Sequence, residues 1–343
     1  MVTIKDIAAA AGVSIATVSN VLNGKGSVSK QTEQHIRDLV KELNYTPNLQ
    51  ARSLKNGKNR TIGIIVEDIT VFNAPAIIDG IASYCDSHNY HYILSNMRLY
   101  MSYGNNVISN DQYRIIVESA ASTLLARQVD GIIYMGIHYH PVNLDFLELN
   151  VPLVYAYCYD PNLSYPSVVY DDENASYMAT KLICEKGHTS IGVIAGLEQS
   201  VHAKKRLTGF QACLFDQKIP YNPSLVLFGD WEYESGYQAA ERLIKENITA
   251  LLCQNDIMAI GAIDCLQDHN IEVGKEIAVM GFDNREISSV VRPHLSTIAL
   301  PLHEIGTECA SIMIKLIEGE SYQGENLISL PCHIIERDST ERI

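Results

Sequence analysis

The sequence predicts a small all-α head with a helix-turn-helix, joined to an α/β body of two doubly wound lobes with parallel sheets. Three observations predict this arrangement. Short amphipathic helices, each preceded by a Thr or Ser, fill the beginning of the chain. From Thr61 onward, short apolar runs alternate with helical stretches. The formal charge also changes sign between these two parts, which indicates separate modules.

The charge distribution limits what each part can bind. Residues 1–60 carry nine Lys or Arg and four Asp or Glu, whereas the remainder carries 17 and 36. A basic head can bind a phosphate backbone, while the acidic body is repelled from it. No apolar run approaches the roughly 18 residues that would span a bilayer. Since the first residues also lack a secretory pattern, we expect a cytoplasmic protein without membrane contact.

The predicted head spans residues 1–47 and contains three helices. Each follows a residue whose side-chain oxygen can accept a bond from the first turn, and Gly12 ends the first helix. Two short helices joined by a glycine turn and braced by a third form a helix-turn-helix. The caps and their helices are Thr3 with 4–11, Ser14 with 15–22 and Ser29 with 30–43.

The second helix has two different faces. Val18, Val21 and Leu22 point inward, whereas the other face carries small or polar groups. A helix that enters a major groove needs such a face, with groups that reach base edges or thymine methyls. The residues of this face are Ile15, Ala16, Ser19 and Asn20.

Residues 48–60 are predicted to form a hinge helix and a polar linker. The segment 48–55 is too short for a stable isolated helix in water. We therefore expect it to fold only on DNA, beside its dimer mate, with Leu54 as a wedge in the minor groove.

Residues 1–60 resemble the DNA-binding region of the lactose-repressor (LacI/GalR) family. The resemblance is carried by the stretches 3–8, 12–14, 16–19, 43–48 and 51–54. Many members carry arginine at position 20 to read guanine, but Asn20 suits adenine better, so the usual operator is not assumed. The DNA contacts that the resemblance implies are Thr3, Ser14, Ile15, Ala16, Thr17, Ser19, Asn20, Asn23, Ser29, Tyr45, Asn48, Ala51, Arg52, Leu54 and Lys55.

The predicted body spans residues 61–343. Its apolar runs contain few polar breaks, which is typical of parallel strands covered on both faces. We predict an N-lobe of about 61–158 and 300–322, and a C-lobe of about 160–298 and 325–340. The candidate strands are 61–66, 91–95, 131–135, 152–156, 190–194, 250–253 and 277–281.

The body resembles the periplasmic-binding-protein-like effector domain of the same family, on stretches such as 206–210, 229–231, 253–256 and 281–283. A ligand would lie between the lobes, at the carboxyl ends of the strands. Arg206 suits a carboxylate or paired hydroxyls, Asp283 suits sugar hydroxyls, and Trp231 offers a flat apolar face. The predicted effector contacts are Phe72, Asn73, Asn174, Ser200, His202, Arg206, Trp231, Asn255 and Asp283.

The sequence thus predicts a dimeric transcription regulator, a repressor by first choice, that binds operator DNA under control of a small-molecule effector. A sugar or sugar derivative is the first choice of effector and a nucleoside or purine the second. Whether it releases or recruits the DNA is left open, as is the part played by the long 97–113 segment. The competing class is a small-molecule-binding protein without gene control.

An enzyme is not predicted, and neither is a cofactor, a catalytic residue or a metal site. His138 and His140 stand two residues apart without nearby Cys or acidic ligands, which is a weak metal signal. Asp171 and Asp172 are adjacent and point apart, so they do not predict a shared proton.

Overall fold

The computed structural model describes residues 2–22, 28–45, 58–103 and 109–340. Its contacts divide the chain into two compact units, one up to Asn59 and one from Arg60. The predicted hinge helix over 48–55 and the predicted contact Asn23 lie outside the described residues. Within the described part, no helix is long and apolar enough to cross a membrane.

The first unit contains the three predicted helices, and local capping explains where they begin. Thr3 and Asp6 form a reciprocal capping box, in which the Asp6 carboxylate accepts from the Thr3 amide at 2.8 Å. The Ser14 hydroxyl accepts from the Thr17 amide at 3.0 Å, and the Ser29 hydroxyl accepts from the Thr32 amide at 3.1 Å. The helices are α1 (Ile4–Ala11), α2 (Ile15–Leu22) and α3 (Lys30–Glu42).

A small apolar core holds these helices together. It contains side chains from all three, and the partly buried Tyr45 packs against it. Gly12 ends α1 in the left-handed conformation, with φ of 64°, which turns the chain toward α2. The buried core residues are Ile7, Ala8, Val18, Val21 and Ile36.

The second unit alternates strands and helices along the chain. Its strands are β1 (Thr61–Val66), β2 (His91–Asn96), β3 (Gly131–Met135), β4 (Leu153–Ala156), β5 (Ser167–Tyr170), β6 (Ile191–Ala195), β7 (Val226–Phe228), β8 (Ala250–Cys253), β9 (Ala278–Met280), β10 (Thr297–Ala299), β11 (Leu327–Leu330) and β12 (His333–Ile335). Its helices are α4 (Ala74–Ser87), α5 (Leu99–Tyr103), α6 (Asn110–Ala126), α7 (Asp172–Glu185), α8 (Val201–Asp216), α9 (Tyr233–Leu243), α10 (Asp256–Asp268) and α11 (Leu302–Glu318).

The N-lobe is built on a six-stranded parallel sheet with the order β11-β5-β4-β3-β1-β2. Strand β1 lies between β2 and β3, with Thr61 opposite His91 and Ile62 opposite Gly131. Both faces are covered, since Ile64 packs in the core that includes α4 and α11, while Ile65 packs against α6. This burial on both sides explains the apolar runs.

The C-lobe is built on a four-stranded parallel sheet with the order β7-β6-β8-β9. Helices α7 and α8 pack against each other, as do α9 and α10. Strands β10 and β12 form a separate antiparallel pair. The predicted α/β body of two parallel-sheet lobes is therefore confirmed.

The predicted limits of the lobes need correction at two of three crossings. Strand β5 and strand β11 pair with each other inside the N-lobe sheet, although both fall in the stretches predicted for the C-lobe. The chain thus crosses between lobes after Tyr170 and after Leu330, not near 159 and 323. Four-residue apolar strands carry no signal for the sheet they join, because that depends on a partner far away in the sequence. The third crossing lies between Ala299 and Leu302.

Helices α4 and α11 approach closely at Gly80. A Cβ added there would lie 2.1 Å from the backbone oxygen of His303. We expect Gly80→Ala to lower the free energy of unfolding by about 1–3 kcal/mol, because the two backbones must separate. Thermal unfolding of the full chain measures this, with the exposed Ser83→Ala on the same helix as the control. Equal melting temperatures for the two variants would show that the helices separate without cost.

Candidate ligand and nucleic-acid sites

Helix α2 presents the predicted recognition face to solvent. Ile15 is 45% exposed although it is a large apolar residue. Ala16 and Asn20 are exposed beside it, while Val18 and Val21 are buried in the head core. The orientation expected from periodicity is thus the observed one. An exposed isoleucine next to an amide suits a surface that meets thymine methyls and base edges.

The remaining predicted contacts of the described head surround this helix. Thr3, Ser14 and Ser29 cap the three helices, so their hydroxyls are engaged in the fold. The first-turn amides that such a cap leaves unbonded point outward at the helix N-terminus, a geometry that favours phosphate oxygens. Thr17 and Ser19 are partly exposed on α2.

Arg206 lies at the centre of the predicted effector cleft and is 3% exposed. Its Nε donates to Asp172 Oδ1 at 2.7 Å, and its Nη2 donates to the Tyr170 hydroxyl at 2.8 Å. Its Nη1 donates to the backbone oxygen of Gln254. The guanidinium carbon stands 3.6 Å from the centroid of the Phe282 ring. Arg206 therefore organises a buried polar network through contacts within the protein.

Asp172 is a second centre of this network. It is 1% exposed and its other oxygen, Oδ2, lies 2.7 Å from Nδ1 of His202. Burial alone would raise the pKa of Asp172, but attraction and hydrogen bonds from His202 and Arg206 outweigh it and lower the pKa. Asp172 is therefore an ionised carboxylate shared between a guanidinium and an imidazole.

Asp283 follows the carboxyl end of β9 and makes a longer contact with the Arg206 network. Its side chain is 7% exposed, and its nearest basic atom, Arg206 Nη2, is 3.7 Å away. Burial raises the pKa of Asp283 to about 8, with Arg206 opposing and Asp256 adding to the rise. The backbone of Asp283 has φ of 105°, a region that side chains rarely adopt. A buried carboxyl held in this way is suited to hydroxyl groups of a ligand.

Trp231 and Asn255 belong to one local arrangement in the C-lobe. Trp231 packs directly over Gly196 and lies 5.8 Å from the Arg206 guanidinium carbon. The Asn255 side chain caps α10 by accepting from the Met258 amide, and it donates to the backbone oxygen of Trp231 at 2.8 Å. The side-chain oxygen and nitrogen of Asn255 are thus both bonded to backbone atoms of the protein, so Asn255 positions the loop that carries Trp231.

Phe72 and Asn73 lie at the start of α4, on the N-lobe side. The Phe72 ring is exposed and contacts Arg285 of the C-lobe, with 5.1 Å from the guanidinium carbon to the ring centroid. Asn73 is fully buried, and neither its Oδ1 nor its Nδ2 has a hydrogen-bond partner among the described residues. A buried amide without partners costs free energy unless another molecule satisfies it.

Asn174 and Ser200 lie at the first turns of α7 and α8. Asn174 is exposed and its backbone amide donates to Asp171 at the cap of α7. Ser200 caps α8 by accepting from the Ala203 amide. Neither side chain bonds to the Arg206 network.

Sequence reasoning missed several residues that contact Arg206 or lie near it. Asp172 follows β5 at the crossing between lobes, so a strand-end signal existed, but the carboxylate pair was considered only for a shared proton. Tyr170 ends the same strand. His140 contacts a buried carboxylate, Glu67 Oε1, at 3.1 Å rather than a metal ligand set. Among the described residues, no group of three His, Cys, Asp or Glu could hold a metal ion.

Two family profiles match the chain. The profile described as bacterial regulatory proteins of the lacI family matches residues 3–48. A profile for a periplasmic binding protein-like domain matches residues 180–340. Together they cover the head and most of the C-terminal half of the chain.

Curated relatives match over the whole length. Catabolite control protein A of Priestia megaterium is 32% identical over 344 residues, with 99% of both chains covered. The HTH-type transcriptional repressor PurR of Haemophilus influenzae is 34% identical over 354 residues, with 100% of both chains covered.

Solved structures show the same architecture. A lac repressor dimer bound to operator and the anti-inducer ONPF has a TM-score of 0.78 and 28% identity, with 99% of both chains covered. The complex of the transcriptional regulator CelR with cellobiose has a TM-score of 0.65 and 25% identity, covering 99% of this chain and 100% of that one.

Proposed function

Because this chain belongs to the LacI family of bacterial regulatory proteins, we propose that it is a dimeric transcriptional repressor whose operator affinity is set by a small molecule bound between its lobes. The observation that carries the proposal is the exposed face of α2, with Ile15, Ala16 and Asn20, on a chain whose relatives match from end to end. Its place of action is the cytoplasm, where bacterial DNA lies. We assign it no catalytic role.

The DNA site consists of α2 in the major groove and the segment 48–55 in the minor groove. The contacts are those predicted from the sequence, including Ala51, Arg52 and Lys55, which lie outside the described residues. One head makes too few contacts for tight specific binding, so two copies acting on a pseudo-palindrome are required. The lac repressor relative in complex with operator is a dimer, which supports the same assembly here.

The effector site lies where Arg206, Asp283 and Trp231 meet the N-lobe residues Phe72 and Asn73. A neutral ligand rich in hydroxyls fits this set, because Asp283 offers a carboxyl, Asn73 an unpartnered amide and Trp231 a flat face. A sugar or sugar derivative therefore remains the first choice, and the cellobiose complex of CelR supports it. A nucleoside or purine is the second choice.

A gel-shift assay with genomic fragments from the region upstream of its own gene tests the regulatory role. We expect at least one fragment to bind at physiological salt, with an affinity that a metabolite changes. A chain that binds no genomic fragment, with or without metabolites, is instead a small-molecule-binding protein without gene control. A thermal-shift screen over sugars, sugar phosphates and nucleosides identifies the ligand class, since a bound ligand raises the melting temperature by mass action.

Asn20 tests the recognition face separately from folding. We expect Asn20→Ala to weaken operator binding by about 1–3 kcal/mol for each half-site, because a paired contact to one base is lost. Asn20→Arg is expected to change the preferred base at that step from adenine toward guanine.

The control for this experiment is Gln34→Ala, an exposed change on α3 of the same head. Selection of binding sites from a randomised DNA pool gives the base preference of each variant, and affinity measurement on the selected sites gives the loss in binding. Identical site preferences for the wild-type protein and the Asn20→Arg variant would remove this position of α2 from the base contacts.

A further inference from the structure

Gly196 follows the last residue of β6, at the carboxyl edge of the C-lobe sheet. Asn255 comes shortly after β8 and Asp283 shortly after β9. Because these three strands are parallel neighbours, their carboxyl ends lie at the same edge of the sheet. Doubly wound sheets bind ligands at this edge.

The indole ring of Trp231 lies directly on Gly196. A Cβ added at Gly196 would overlap three atoms of that ring, Cζ2, Cη2 and Cε2. Any side chain at position 196 would therefore compete with the ring for the same space. Glycine is the residue that permits so close an approach to the backbone.

Gln254 holds the backbone of Gly196 in place beneath the ring. The Gly196 amide donates to Gln254 Oε1 at 3.0 Å, and Gln254 Nε2 donates to the backbone oxygen of Ala203 at 3.1 Å. Gln254 is buried, and its own backbone oxygen accepts from Nη1 of Arg206. The surface under the ring thus belongs to the same buried network as Arg206 and resists displacement.

The loop that carries Trp231 is tied to the sheet on both sides of the ring. The Gly229 amide donates to the backbone oxygen of Ala195 at 2.8 Å, and Asn255 Nδ2 donates to the backbone oxygen of Trp231 at 2.8 Å. Trp231 itself has φ of 74°, a left-handed conformation that a large side chain rarely adopts. Strained backbone of this kind persists only where the surroundings hold it, and it clusters at functional sites.

The ring is only partly covered by the protein. Trp231 packs against the C-lobe core but is partly exposed, and its ring lies 5.8 Å from the guanidinium carbon of Arg206. A flat ring whose position is fixed before binding offers a surface for stacking without a cost for ordering it. The seat on Gly196 therefore determines the plane that a ligand meets.

We propose that Gly196 is a specificity-determining position of the effector site: its missing side chain seats the Trp231 indole on the end of β6, and the plane fixed in this way selects ligands with an apolar ring face. Gly196 is a positioning residue that acts through Trp231. This proposal rests on the proposed function, because it concerns the same effector site. A sugar ring and a nucleobase both offer such a face, whereas an open-chain polyol carries similar hydroxyls without one.

The first test follows the emission of Trp231 in the full chain, without DNA or effector. Trp231 is the only tryptophan of the sequence, so the emission reports on this ring alone. We expect Gly196→Ala to shift the emission to longer wavelength and to increase quenching by acrylamide, because the ring leaves its seat. The control is Gly192→Ala on the same strand, where the added Cβ would contact Leu251 and not the indole. Emission and quenching that are equal in the two variants would overturn the proposal.

A second background keeps the test decisive if Gly196→Ala impairs folding. Trp231→Ala removes the ring and frees the space that the new Cβ needs. We expect Gly196→Ala to lower the melting temperature by several degrees in the wild-type background and by about half as much or less in the Trp231→Ala background, since residues in contact are coupled. Thermal unfolding followed by circular dichroism measures both. Equal losses in the two backgrounds would show that position 196 does not act through the ring.

The closing experiment measures selectivity with a panel of monosaccharides, disaccharides and nucleosides, and with sorbitol and mannitol as open-chain controls. Thermal shift at several concentrations gives the affinity of each compound. We expect ring compounds of one class to stabilise the wild-type protein and the polyols not to. The compound that stabilises it most should bind Gly196→Ala about three- to tenfold more weakly, the range that one aromatic contact contributes. It should bind Gly192→Ala as it binds wild type.

The arms of this panel separate the two kinds of ring, because sugars and nucleosides are scored independently. Polyols that stabilise the wild-type protein as strongly as the ring compounds would overturn the proposal. So would ring compounds that bind Gly196→Ala as tightly as wild type. Either result leaves the regulatory role intact, since the gel-shift assay tests operator binding without the panel.

Discussion

Replacing Arg206 with alanine is expected to lower the free energy of unfolding by about 3–5 kcal/mol, because it leaves buried Asp172 without its guanidinium partner. The side chain of Asp172 is 1% exposed, so water cannot replace the lost partner. Stacking on Phe282 and the bond to the Gln254 backbone are lost as well. Arg206 is therefore the centre of a buried polar network, and its removal is not a clean probe of ligand binding.

Urea unfolding of the full chain, followed by Trp231 emission and by circular dichroism, measures the loss. The control is Lys204→Ala, an exposed cation on the same helix, which should stay within about 0.5 kcal/mol of wild type. If Arg206→Ala lowers the free energy of unfolding by less than about 1 kcal/mol, the surrounding groups must rearrange to solvate Asp172.

The stability lost in Arg206→Ala should depend on pH in a definite direction. In the wild-type protein the pKa of Asp172 is lowered, so its contribution is present above the usual aspartate range and is lost as the pH falls. Without Arg206, only His202 opposes the burial of Asp172, so the pKa of Asp172 lies higher than in the wild-type protein and the penalty grows as the pH rises. The difference between variant and wild type should therefore shrink from about pH 7 to about pH 4. A constant difference would point to lost packing alone.

The parts of the fold that the sequence predicted correctly depend on local chemistry. The caps at Thr3, Ser14 and Ser29 bond to amides three residues away, and the two faces of α2 follow from helical periodicity. Seven strands of the two sheets were predicted from short, largely apolar runs, whereas β5, β7 and β11 were not predicted. Such signals need no knowledge of distant residues.

What the sequence could not predict depends on partners far apart in the chain. Arg206 and Asp172 are 34 residues apart, and Glu67 and His140 are 73 apart. The long-range pairing of β5 with β11 decides where the chain crosses between lobes, and this crossing brings Asp172 beside Arg206. Arg206 was predicted as an effector contact from the sequence, but its contacts within the protein depend on these pairings. The same holds for His202, which accepts a hydrogen bond from the backbone amide of Tyr139, 63 residues away.

Asp283→Asn is expected to raise the free energy of unfolding of the protein and to weaken its response to the effector. Burial raises the pKa of Asp283 from the usual 3.8 to about 8, so its proton is held much more tightly in the folded state. The stability linked to that proton is present below the usual aspartate range and is lost as the pH rises toward 8. Asparagine does not titrate and therefore avoids this loss. The advantage of the variant should grow by up to about 1.4 kcal/mol for each pH unit in that window.

Thermal unfolding at several pH values tests the first half of this prediction. At about pH 7 the variant should melt several degrees higher than wild type, at about 2–4 °C per kcal/mol. Glu286→Gln removes an exposed carboxylate three residues away and should leave the melting temperature unchanged. A variant that melts lower than wild type at every pH would mean that Asp283 is ionised and stabilising, paired with Arg206 across 3.7 Å.

The second half concerns function, because a destabilising buried carboxyl at the end of a strand is typical of a binding site. The ligand found in the thermal-shift screen should stabilise Asp283→Asn at least tenfold less effectively, measured as the concentration that gives half of the maximal shift. Operator binding without ligand should remain, since Asp283 lies in the body and not in the head. If the ligand acts equally on both proteins, Asp283 owes its high pKa to the fold alone, and the effector must contact the N-lobe amide of Asn73 without it.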